Sequence, residues 1–219
     1  MNIQTISIVV PTKGCVNKCP FCVSRMHNSP YENCFDTIQL TKRIKYAVMN
    51  GVNTCIITGT GEALQNPYFL GRLADVFRIM KYPFPNVELQ TTGVMLMDYD
   101  IAIDGNSGEE IKKYHNINLL KELGVNTISL SIANIFSSSL NLEIIKVAKN
   151  LEFNLFSLVS FLKKQGFNVR LSLNMLKDYD KYSPIEIIRA CKMLGANQVT
   201  FRKMYASGPY RDWEKKQNG

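Results

Sequence analysis

Three segments of the chain carry apolar residues at helical spacing, end on a glycine, and run at once into β-branched and apolar residues. The glycines are Gly124, Gly166 and Gly195. Glycine accepts the left-handed backbone that stops a helix. A helix leading directly into a strand, time after time, leaves each strand parallel to the last, because the helix carries the chain back across the sheet. The same rhythm extends along the chain. Strands are predicted over 4–10, 54–58, 86–92, 126–132, 168–174 and 197–202. Helices are predicted over 37–50, 67–80, 116–123, 155–165 and 183–194, the last with Ser183 as cap and Pro184 in its first turn. The class is therefore α/β, built from about six strand–helix units. A closed eight-unit barrel takes about 250 residues. A chain of 219 residues predicts a partial (β/α)6 TIM-like barrel with parallel strands. A doubly wound open sheet has the same periodicity and stays open as the alternative. No linker or short repeat divides the chain, so one domain is expected over 1–219, with the barrel at 4–205 and a C-terminal tail at 206–219.

Two segments break the rhythm. Met97–Glu110 holds five acidic residues with glycine and asparagine, and reads as an acidic surface loop. Its spacing does not make a calcium loop. Asn134–Asn154 reads as an insertion with an extra helix around Leu142–Lys149. Apolar residues make up 46% and charged residues 20%, which excludes a disordered or collagen-like chain. The charge of 26 − 18 = +8 favours an anionic partner or simply reflects extra surface lysines. The longest uncharged run, Leu123–Leu142, is interrupted by asparagine and serine, so no membrane span is expected. The apolar stretch Ile6–Val10 is too short for a signal sequence. A soluble, cytoplasmic protein is expected.

Six cysteines in a chain of this size do not make a disulfide framework, and in a reducing compartment clustered cysteines point to metal binding or catalysis. Cys15, Cys19 and Cys22 lie within eight positions, directly after the first strand. Three thiolates on one loop can hold three irons of a [4Fe–4S] cube and leave the fourth corner to a small molecule. Structural zinc is the competing reading, and it needs a fourth ligand, for which Cys34 or His27 is available. Cys34, Cys55 and Cys191 are expected as small buried hydrophobes. His27 is left out of the site, and Met95 and Met97 are expected in packing.

Cys15, Cys19 and Cys22, with Phe21 before the last, resemble the CxxxCxxC signature of the radical S-adenosylmethionine (SAM) superfamily. Thr58-Gly59-Thr60-Gly61-Glu62-Ala63 resembles that family's Gly-Gly-Glu-Pro motif, with Thr60 for a glycine and Ala63 for the proline. Ala63-Leu64-Gln65 is similar to the activating enzymes of glycyl-radical systems. Thr91-Thr92-Gly93 resembles a Thr-Asn-Gly stretch, and Ser129-Leu130-Ser131 a ribose- and carboxylate-contacting position. Asn174 and Arg202 stand at strand ends where further SAM contacts occur. Taken alone, each strand-end hydroxyl has a plain reading as surface, Arg202 as half of an ion pair, and Glu62 as a helix cap.

The resemblance implies a [4Fe–4S] cluster on the three cysteines, SAM chelated to its open iron, and a one-electron donor of flavodoxin or ferredoxin type. It implies SAM contacts from Phe21, Gly59, Thr60, Gly61, Glu62, Thr91, Ser129, Ser131, Asn174 and Arg202. It implies cleavage of SAM to a 5′-deoxyadenosyl radical that takes hydrogen from a substrate. No second cysteine cluster follows, and a six-unit barrel leaves its side open. That leaves room for a peptide, protein, nucleotide or RNA substrate, or for a cap from a partner. A zinc- or cluster-bearing nucleic-acid-binding module is the alternative. Its weakness is that the basic residues form no continuous stripe.

Overall fold

The computed structural model describes residues 3–26, 35–97, 100–103, 110–113 and 115–204. Strand β1 (Thr5–Val10) runs into the cysteine loop, and helix α1 (Thr37–Met49) returns the chain to β2 (Thr54–Gly59). Helix α2 (Pro67–Ile79) leads to β3 (Asn86–Thr91). Two short strands, β4 (Asp100–Ile103) and β5 (Glu110–Lys113), precede α3 (His115–Glu122) and β6 (Thr127–Ile132). Then come α4 (Ser138–Ile145), α5 (Leu155–Lys164), β7 (Asn168–Met175), α6 (Pro184–Met193) and β8 (Gln198–Lys203).

One sheet holds β1, β2, β3, β6, β7 and β8 in that order, every neighbouring pair parallel. The order never reverses, whereas a doubly wound sheet switches direction part-way. The fold is thus α/β, a partial barrel of six strands. Helix α5 shows how a unit closes. Asn154 caps it by accepting from the Ser157 N–H at 3.0 Å, and Gly166 ends it at φ 92° while Phe167 N–H reaches back to Leu162 O at 3.1 Å. That return bond requires the left-handed residue.

Alternate strand residues point to opposite faces. The helix-facing set is apolar, with Ile57, Leu89, Leu130 and Leu171 fully buried against helix residues such as Leu158 and Leu162. Each such leucine stabilises the fold by about 1.5–3 kcal/mol. Met95 and Met97 pack against this core, as expected. The other face, turned into the barrel, is polar at nearly every position, and it carries the site.

Two expectations are corrected. The acidic segment is not a plain loop: β4 and β5 pair antiparallel, Asp100 opposite Lys113 and Ile103 opposite Glu110. Strands of four residues are held by cross-strand pairing, which composition does not reveal. The inserted helix spans 138–145 rather than 142–149. Ser137 starts it, its Oγ accepting from the Leu140 N–H at 3.2 Å, and Lys146 ends it in the left-handed region. Cys55 and Cys191 are buried thiols pushed up to about 12 and about 11 by burial, inert as expected. Cys34 and His27 lie outside the described residues. Among the described residues no helix is long and apolar enough to cross a membrane.

Candidate functional site

The loop after β1 is held by three other parts of the chain. Its Val16 N–H donates to Gln65 Oε1 at 2.8 Å, in the turn after β2. Its Asn17 Nδ2 donates to Thr92 Oγ1 at 2.7 Å, beyond the end of β3. Its Lys18 N–H donates to Ile145 O at 3.0 Å, at the end of α4, and the Cys19 thiol approaches the same carbonyl at 3.8 Å. Within the loop, Cys22 N–H donates to Cys19 O at 3.3 Å. Val16, Cys19 and Phe21 pack against the apolar cluster of Leu142, Ile144 and Ile145. The inserted helix therefore serves as a wall behind the cysteines.

The turn after β2 is fitted against this loop. Thr60 Oγ1 accepts from Thr12 N–H at 3.0 Å, and Thr60 N–H donates to Val10 O at 3.1 Å. A Cβ on Gly61 would stand 2.2 Å from Gly14 O and 2.6 Å from Thr12 Oγ1. Gly61 is required where two backbones touch, a reason different from the ligand approach that the sequence suggests for these glycines. Glu62 follows, 3% exposed. Its Oε1 accepts from Thr91 Oγ1 at 2.7 Å, and its Oε2 from Thr92 N–H at 3.0 Å and Thr92 Oγ1 at 2.8 Å. It also caps the short turn Ala63–Gln65, through a longer contact of 3.5 Å to Leu64 N–H. The capping alternative therefore holds as a minor role, and the short bonds aim the carboxylate elsewhere.

They aim it into a cavity of about 320 Å³. Cys15, Cys19, Cys22 and Phe21 line one wall, and Gly59, Gly61 and Glu62 another. Thr91, Ser131, Asn174 and Arg202 come from the strand ends opposite. Asn174 Nδ2 donates to Ser131 Oγ at 3.0 Å, fixing the amide across β6 and β7. Two expected residues are not on the wall. Thr60 turns its hydroxyl to Thr12, and Ser129 is buried one row deeper in the barrel. Residues outside the expected set join the site: Asn17, Thr92, Gln90 and Lys203 line the cavity, and Asn17, Thr92 and Gln65 tie the cysteine loop to the glutamate turn. Gln65 and Thr92 already stood in the matched motifs, and Asn17 between the first two cysteines. Their partners are far away in sequence, so no spacing marked them.

Cys15, Cys19 and Cys22 line one cavity, and three thiolates there, each on a different iron, suit a cube with one open corner. Among the described residues no three His, Cys, Asp or Glu side chains form a single-ion site, and Cys34 and His27, the fourth ligands a zinc site would need, lie outside them. Burial pushes the Cys15 thiol up, the Asn17 backbone N–H opposes this, and the nearby Glu62 and Cys22 push it up again.

No curated protein matches the sequence. Solved structures of similar fold include SuiB of Streptococcus suis bound to its precursor peptide SuiA, at TM-score 0.60 and 17% identity over 96% of this chain and 42% of that one. Also similar is anSMEcpe with bound AdoMet, at TM-score 0.60 and 13% identity over 98% and 60%. A third is TsrM of Kitasatospora setae, a radical S-adenosylmethionine methyltransferase with cobalamin and a [4Fe-4S] cluster, at 0.55 and 13% over 99% and 40%. At these identities the likeness is one of fold, and the chain spans between 40% and 60% of their lengths. The family model of the radical SAM superfamily matches residues 9–191, most of the strands and the whole cysteine loop, and the chain belongs to that superfamily.

Proposed function

We propose that the chain is a single radical SAM core that binds SAM beside a [4Fe–4S] cluster and opens radical chemistry on a separate substrate. The observation that carries this reading is the buried, triply hydrogen-bonded Glu62 carboxylate facing the same cavity as three cysteine thiols. Cys15, Cys19 and Cys22 would hold the cluster as thiolates, one iron each. When bound, the cluster supplies the electron that splits the SAM sulfonium into methionine and a 5′-deoxyadenosyl radical able to take hydrogen from a substrate.

The protein's own part is placement. Glu62 accepts the ammonium of the methionine moiety, held in line by Thr91 and Thr92. The exposed backbone of Gly59 and Gly61 lies alongside, and Thr60 keeps that turn against β1. Phe21 meets the adenine. Ser131, Asn174 and Arg202 meet the ribose hydroxyls and the carboxylate, with Ser129 supporting Ser131 from below. The apolar wall of α4 backs the cysteine loop through Val16, Cys19 and Phe21. A one-electron donor of flavodoxin or ferredoxin type would supply the electron, in a cytoplasmic setting.

The test is anaerobic reconstitution with iron and sulfide, followed by dithionite and SAM. About four irons and four sulfides per chain and release of 5′-deoxyadenosine are expected. Both vanish in the Cys15→Ala, Cys19→Ala, Cys22→Ala variant. One tightly bound zinc per chain and no 5′-deoxyadenosine would overturn the reading.

A further inference from the structure

Two hydroxyls hold the Glu62 carboxylate, and each has a single proton to give. Where that proton goes is fixed by what else the oxygen meets. Thr91 Oγ1 receives the Gly93 N–H at 3.0 Å, so its proton is left for Glu62 Oε1, 2.7 Å away. That control is local, within one turn. Thr92 is controlled from a distance. Its Oγ1 receives Asn17 Nδ2 at 2.7 Å, from the cysteine loop 75 residues away, and its own proton goes to Glu62 Oε2 at 2.8 Å.

The direction of this chain is set by the carboxylate at its end. An Asn17 amide turned the other way would set its oxygen against Thr92 Oγ1 and take the threonine proton. Thr92 Oγ1 and Glu62 Oε2 would then face each other at 2.8 Å with no proton between them. Asn17 therefore offers its NH2. It is 2% exposed and Glu62 3%, so both ends of the chain are shielded from water, where hydrogen bonds are electrostatically strong and a reversed one is costly. The backbone of Asn17 serves the cluster side, its N–H donating to the Cys15 sulfur. One residue thus meets a cysteine of the loop with its backbone and, through Thr92, the glutamate with its side chain.

We propose that Asn17 is a positioning residue for SAM: by donating to Thr92 it commits the Thr92 proton to Glu62 and fixes the acceptor that the ammonium meets. The inference rests on the cavity being the SAM site and adds to that site a residue of the cysteine loop. An acceptor held in place before its ligand arrives binds it more tightly, because less is left to order on binding. Asn17 also lines the cavity, so direct contact with SAM is the competing account, and a double variant separates the two.

The experiment uses anaerobically reconstituted protein with its cluster oxidised. The SAM Kd is read by titration calorimetry, and iron is counted on each sample. Native protein, Asn17→Leu, Thr92→Val and the double variant are compared. Valine keeps the shape of Thr92 and its backbone N–H to Glu62. Asn17→Leu at native iron content should weaken SAM about three- to tenfold, the worth of one hydrogen bond. In the Thr92→Val background the same change should move Kd less than about twofold, because the oxygen through which Asn17 acts is gone. An Asn17→Leu Kd within about twofold of native overturns the proposal. So does an equal loss in both backgrounds, which marks direct contact with SAM. Where leucine lowers iron content, Asn17→Ser takes its place, a polar side chain too short to reach Thr92. Iron lost in that variant as well makes Asn17 a staple of the loop and overturns the positioning role. Native protein that holds a full cluster but neither binds SAM nor releases 5′-deoxyadenosine overturns the underlying reading instead.

Discussion

Exchanging Glu62 for glutamine separates its charge from its shape. In the native protein Oε2 accepts the Thr92 N–H and hydroxyl, and Oε1 accepts the Thr91 hydroxyl. A glutamine must keep its carbonyl oxygen toward Thr92, because a backbone N–H cannot turn round to accept. Its NH2 then faces Thr91, whose hydroxyl already accepts from Gly93 N–H at 3.0 Å. That hydroxyl proton loses its partner, at a cost of about 1 kcal/mol. For a chain of this size the loss corresponds to about 2–4 °C in Tm. The ligand loses more. A charge-assisted bond from ammonium to carboxylate contributes about 1.5–3 kcal/mol, or about 10- to 100-fold in Kd. Glu62→Gln should therefore fold, load iron as the native chain does, and bind SAM about 10- to 100-fold more weakly. Anaerobic titration calorimetry on oxidised, reconstituted protein, with iron counted on the same sample, measures both. A Kd within threefold of native at equal iron content would refute the assignment of Glu62 to the ammonium. Iron lost along with SAM would refute the separation of roles, because Thr92 also receives Asn17 from the cysteine loop.

Four further predictions follow from local geometry. Gly61→Ala drives a methyl group into Gly14 O at 2.2 Å, so it should lower iron loading severalfold while far-ultraviolet circular dichroism stays native. In cluster-free protein, mass spectrometry after brief alkylation should find Cys19 and Cys22 modified first, Cys15 more slowly because burial raises its thiol, and Cys55 and Cys191 untouched until denaturant is added. Asn66 caps α2 at Phe69 N–H (3.0 Å) and donates to Pro11 O (2.8 Å). Asn66→Ala should cost about 2 kcal/mol, seen as a fall of about 4–8 °C in Tm. The Ser183 N–H and hydroxyl donate to the Glu186 carboxylate and hold it below the usual carboxylate range. A carboxylate lowered in the fold stabilises above its unfolded value and loses that contribution as pH falls through the lowered one. The Tm gap between native and Glu186→Gln should thus stay constant from about pH 8 to pH 5 and close below about pH 4.

The legible part of this protein was the local part. Gly124, Gly166 and Gly195 marked where helices stop, and their left-handed backbones bear this out. Cys15, Cys19 and Cys22 were legible because one loop must carry all three thiols, so their spacing is itself the signal. Strands β4 and β5 were missed because a short hairpin depends on its partner strand more than on its own residues. Helix α4 was placed four residues late because Ser137 read as a polar break rather than as a cap.

The sequence by itself determined the parallel α/β rhythm and the cysteine loop, because helix stops, strand composition and short cysteine spacing are set within a few residues. Tertiary structure alone decided the rest. It ordered the strands without reversal, making a barrel wall rather than a doubly wound sheet. It sent the Thr60 hydroxyl to Thr12, buried Ser129 away from the cavity wall, and tied the cysteine loop to Gln65 and Thr92 across 49 and 75 residues. It also gathered Gln90, Ser131, Asn174 and Arg202 from separate strands onto one cavity wall. Such placements depend on which strands become neighbours, and that is settled by packing the whole apolar face of the sheet against its helices.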